Sequence, residues 1–105
     1  MAANFTASPA NDVSALARAG ADALVSAMPR ASWEEIEGSI VGLLAGDDPA
    51  TRETTRILLE QDREQMLDGR GVGVADRWCL FFLGHLDEHP DAAPELGRII
   101  SASAG

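Results

Sequence analysis

The side chains whose types and spacing could do chemistry lie between His85 and His89. His85, Glu88 and His89 reproduce the H-x-x-E-H arrangement of inverted zinc metallopeptidases, where two histidines one helical turn apart hold zinc and the glutamate activates water. That chemistry also needs a third ligand and a substrate cleft, and those enzymes are several times longer than the 105 residues here. The motif abuts Pro90, where a helix must stop. Imidazoles near a helix C-terminus with acidic neighbours are favoured on electrostatic grounds alone. No metal and no cofactor are therefore expected, and His85 and His89 offer an incidental metal contact at most.

Three other features could carry chemistry. Gly69, Gly71 and Gly73 could expose backbone amides to an anion, but phosphate-binding fingerprints follow a strand and have different spacing. Asp68 and Asp76 flank this loop and would repel phosphate, so it reads as a hinge. Ser39 in EGSIVG faintly resembles the phosphopantetheine-bearing serine of carrier proteins. That motif places Asp or His directly before Ser at a helix start, whereas Gly38 precedes Ser39 in mid-helix. Cys79 is the one cysteine and sits in an apolar run with Arg77 as its only nearby base, which marks a core thiol and not a nucleophile. The expectation is a protein that is not an enzyme, with no catalytic residues.

The elements that would position these groups are all helical. A first helix can start at Ser8-Pro9 or at Asn11-Asp12, and Pro29 ends it; Val13, Leu16, Ala17, Gly20, Leu24 and Ala27 form its inward stripe. Ala17, Gly20 and Ala21 would let a second helix come close. Ser32 and Glu35 stand at capping-box spacing before a stripe of Trp33, Ile36, Ile40, Leu43 and Leu44, with Gly46 as C-terminal cap. Asp48 and Pro49 open a third, polar helix to about Asp68, whose large apolar residues are Ile57, Leu58, Leu59, Met66 and Leu67. The glycine connection leads to a fourth helix from Val74 to about His89, and Asp91 can cap a short last one with Leu96, Ile99 and Ile100 inward. No alternating β-branched run suggests a strand, and no internal repeat is visible.

The fold expected is all-α, a small bundle of four to five helices with short loops: a flexible tail over residues 1–10, one domain over 11–100, and a flexible tail over 101–105. A chain of this length buries enough surface to fold without metal or disulfide. Its net charge of −9 and pI near 4.4, with arginine as the sole basic side chain besides histidine, argue against nucleic acid and anionic membrane surfaces. No window approaches a membrane span, and Met1 to Ala7 lacks the pattern of a secretory signal, so a cytoplasmic location is expected.

GADALVSAM, Trp33 in ASWEEI, LLAGDDP, Trp78 and LDEHPDAAPEL together resemble a group of small helical proteins of Streptomyces and related actinobacteria. The resemblance spans roughly Gly20 to Leu96. It implies an intracellular helical protein and supplies no activity. The chain departs from the pattern at GRGVG, which interrupts a more continuous helical hairpin, and at WCLFFLGHL, which is more apolar than the group's Arg-rich equivalent.

That apolar run carries the functional expectation. Trp78 to Leu83 is apolar without a break, so the fourth helix must be covered on nearly every side, and the alanine-rich first helix and polar third one supply little large cover. Trp78, Phe81, Phe82 and Leu86 should divide between a core and an interface. The function expected is a noncatalytic helical protein–protein interaction or regulatory module, self-associating through the helix around Trp78 to Leu86, as a homo-oligomer or with a protein partner. The alternative is an acidic inhibitor, immunity or antitoxin-like protein that covers a basic site on its partner, an idea resting on the charge alone.

Overall fold

The computed structural model describes residues 9–104, with side chains from 13 to 103. It is all-α: α1 Pro9–Ala27, α2 Trp33–Ala45, α3 Pro49–Leu67, α4 Val74–Glu88 and α5 Ala93–Ala104, with a 3-10 turn at Pro90–Ala92 leading into α5. No strand occurs among the described residues. The start at Ser8 and most of the proposed N-terminal tail lie outside them, while Pro9 and Ala10 already belong to α1.

The fold is organised around α1. This helix packs most extensively on α4 and next on α5, and its buried face is Ala17, Gly20, Ala21, Leu24 and Ala27. Small side chains there bring the partner backbones close. A Cβ built on Gly20 would meet the Leu96 methyls at 3.1 and 3.3 Å and Phe82 Cδ2 at 3.3 Å. The alanine-rich helix therefore covers the bulky one by proximity and not by volume. Trp33, Ile40, Leu59, Trp78, Phe82 and Leu96 fill the space around it at 2% exposure or less.

Local chemistry explains the ends of the helices. Asp48 accepts the Thr51 amide at 2.9 Å with Pro49 in the first turn, the N-terminal arrangement expected of it. Gly46 closes α2 at φ +60°, a torsion that side chains with a Cβ disfavour. The Ser32–Glu35 capping box does not form. Tight backbone bonds from Arg30 to Ala27 and from Trp33 to Arg30 hold Ser32 at φ −81°, ψ 6°, and a capping side chain needs an extended backbone that this turn denies it. Ser32 contributes only its carbonyl, which accepts from the amides of Glu35 and Ile36.

The C-terminal boundary also differs from expectation. Instead of fraying after Ile100, α5 continues to Ala104, and Ser103 is buried at 9% exposure. Arg30 holds it there by donating to the Ser103 carbonyl at 2.7 Å. That bond joins the α1–α2 turn to the end of the chain, and hydropathy alone gives no sign of it.

Candidate interaction surface

The helices α3 and α4 form an antiparallel hairpin whose two arms have different supports. In backbone packing α3 rests on α2 while α4 rests on α1, and the two arms scarcely touch each other. A groove of about 220 Å³ lies between them, lined by Leu44, Thr55, Leu58, Trp78, Phe81 and His85.

Sequence spacing determines which side chains reach it. On α3 the inward stripe is Thr55, Leu59 and Asp62, so Leu58 is turned sideways toward α4 and is 39% exposed. On α4 the inward stripe is Val74, Trp78, Phe82 and Leu86, and Phe81 is left at the groove wall with 45% exposure. Trp78, Phe82 and Leu86 are exposed by 1%, 0% and 2%. These three thus belong to the chain's own core, on the helix against which α1 packs most extensively. Of the four expected interface residues, Phe81 alone is at the surface, its ring 5.0 Å from that of Trp78.

A buried polar bridge spans the groove. Asp62, 6% exposed, accepts the Trp78 indole N–H at 2.6 Å through Oδ2 and pairs with Arg77 through Oδ1. Both carboxylate oxygens are satisfied, as burial demands. A second acidic pair lies on the opposite side of α3. Glu37 of α2 is 7% exposed and its Oε2 has no partner; Glu60 lies within hydrogen-bonding reach and accepts the Trp33 indole N–H at 3.2 Å. Burial, and then Glu60, push the Glu37 carboxyl up to about 7, while the bond from Glu37 holds Glu60 below its ordinary value.

The groups first considered for chemistry do not converge. The rings of His85 and His89 stack at 4.7 Å, and among the described residues no group of three His, Cys, Asp or Glu side chains is arranged to hold a metal. Burial, and then His89, hold His85 below the usual imidazole range. Ser39 is exposed in mid-helix, and Cys79 packs part-buried against the core. The glycine loop is a closed turn. Gly69 and Gly73 take φ of +76° and +86°, Arg70 donates to the Gln65 carbonyl at 2.8 Å, and a Cβ on Gly71 would strike Met66 Sδ at 1.9 Å. It packs against α3 and holds no open cradle.

Sequence reasoning missed Asp62, Glu37 and Glu60. Asp62 had a signal, since Leu59, Asp62 and Met66 share one helical face and a carboxylate in that register must find donors. The Glu37–Glu60 meeting had none, because it depends on how α2 and α3 cross. No family model, no curated protein and no solved structure matches this chain. Among the described residues no helix is long and apolar enough to cross a membrane.

Proposed function

We propose that this chain is a noncatalytic helical interaction module that self-associates through the α3–α4 face, a second copy seating on the groove between Leu58 and Phe81. The observation that carries the reading is the charge pattern of that face. On α3 its exposed stripe is Thr54, Leu58, Gln61 and Gln65, at spacings of four, three and four, without one charged side chain. On α4 it continues through Phe81 and Gly84, and the Arg77 charge is neutralised by Asp62. Two copies of a −9 chain repel wherever their carboxylates meet. A face that combines uncharged polar residues with half-exposed Leu58 and Phe81 is where they can approach without that cost. Symmetry adds to this, since a two-fold axis brings the same patch from both sides and sets each Phe81 beside the other's groove.

The test is light scattering coupled to size exclusion at about 50 µM, a concentration that detects weak homodimers. Twice the single-chain mass of 11.1 kDa is expected. Leu58→Asp and Phe81→Asp should each return the monomer with unchanged helical circular dichroism, because both residues are at the surface. Phe82→Asp should instead unfold the chain, its side chain being fully buried. A wild-type monomer at that concentration, or a dimer indifferent to Leu58→Asp and Phe81→Asp, refutes the proposal; a monomer that captures an unlike, basic protein supports the acidic-inhibitor alternative in its place.

A further inference from the structure

We propose that Glu37 and Glu60 form a proton-holding latch across the α2–α3 contact, closed by one shared proton and loosened when that proton leaves. The geometry is that of two carboxyl groups with one role each. Glu60 is anchored as an acceptor: the Trp33 indole N–H points at its Oε2, and Arg63 lies over the Trp33 ring at 5.8 Å from the centroid. Glu37, one helical turn after Trp33 on α2, is buried with Oε2 unpartnered, and its carboxyl meets that of Glu60. A proton on Glu37 makes it a donor to Glu60 and satisfies both. Without the proton, a buried carboxylate faces another with no donor between them.

The charged groups acting on Glu37 all come from α3: Glu60, which opposes its ionisation, and Arg56 and Arg63, which favour it. The arginines do not dominate, because Arg63 is committed through Nε to the Met28 carbonyl at 2.8 Å and Arg56 is exposed. The α3 helix depends on this contact more than any other helix would, since its backbone packs extensively on α2 alone. The latch is independent of whether the chain self-associates.

The sign follows from linkage. Glu37 holds its proton to about pH 7 in the folded chain and releases it near its ordinary value of 4.5 when unfolded. Folded chains therefore bind more protons than unfolded ones in that window, and stability falls as pH rises through it. Glu60 is shifted the other way, so its contribution changes below the window. His85, held low, makes stability rise toward 6.5 and opposes the trend, so the slope must be isolated by comparison.

The direct experiment is a carbon-13 titration of the glutamate side-chain carboxyls of the intact protein, following the Trp33 indole N–H in the same samples. A Glu37 midpoint near neutrality is expected, with the Trp33 proton shifting in step because its acceptor is the partner carboxylate. In thermal melts, Glu37→Gln should gain on the wild type by several degrees between about pH 5 and about pH 7.5, since the amide donates at every pH. If Glu37→Gln fails to fold, Glu60→Gln should lower the Glu37 midpoint by removing the opposing charge. A Glu37 midpoint near 4.5, a Trp33 proton that ignores the titration, or parallel pH profiles for wild type and Glu37→Gln would overturn the latch.

Discussion

At the scale of single residues, the buried bridge across the hairpin is the most exacting feature. Asp62 is held by two donors from α4, the Trp78 indole and the Arg77 guanidinium, while the backbones of α3 and α4 scarcely approach each other. Trp78→Phe keeps an aromatic ring in the core but deletes the buried indole hydrogen bond to Asp62 that helps join the arms. A buried acceptor left short of a donor costs about 1–3 kcal/mol. Urea unfolding should show a loss of that size for Trp78→Phe, and adding Asp62→Asn should then cost less than Asp62→Asn costs alone, because the two residues share one bond while the Arg77 pairing is lost in either background. Fully additive losses would mean that Trp78 matters for volume and Asp62 for its pairing with Arg77. This bridge was partly legible in the sequence. The register of Leu59, Asp62 and Met66 places a carboxylate on the inward face, but the donors come from another helix and no local pattern names them.

At the scale of elements, the sequence describes each helix better than it describes which helix is central. The bounds of α3 and α4, the Asp48 cap and the Gly46 stop all follow from local rules, and so does the buried stripe of α1. What hydropathy hides is that a stripe of Ala and Gly is a strong packing surface, because its contribution lies in how near it lets a neighbour come. The fourth helix therefore looked under-covered, whereas Trp78, Phe82 and Leu86 are almost completely buried and α1 packs more extensively on their helix than on any other. Gly20 tests this directly. Leu96 and Phe82 already lie within 3.3 Å of where its Cβ would be, and a branched side chain there must push α4 and α5 outward together. Gly20→Val should destabilise the chain by about 1–3 kcal/mol in urea or thermal melts, the usual penalty for overfilling a packed core. A neutral result would place the helix junction elsewhere. The same substitution at Gly38, where nothing lies within 4 Å, supplies the control for intrinsic helix propensity.

At the scale of the whole molecule, charge decides what kind of association is open to the chain. Among the described residues, Asp62, Asp68, Asp76 and Glu95 are the carboxylates that pair with an arginine, and Arg30, Arg52 and Arg63 are turned instead to backbone carbonyls. The net −9 is thus spread over exposed acids such as Glu34, Glu35, Asp47, Glu53 and Glu64, and the stripe from Thr54 to Gln65 is a gap in it. A self-associating chain built this way has an unusual salt response. Its contact is uncharged while its bodies repel, so screening helps it, with a Debye length of about 20 Å at about 20 mM salt shrinking to about 6 Å at about 300 mM. The dimer dissociation constant, measured by sedimentation equilibrium, should accordingly fall severalfold over that range. An acidic chain made to cover a basic partner must behave oppositely, because its attraction is itself what salt screens. The direction of this one dependence therefore separates the two modes of association.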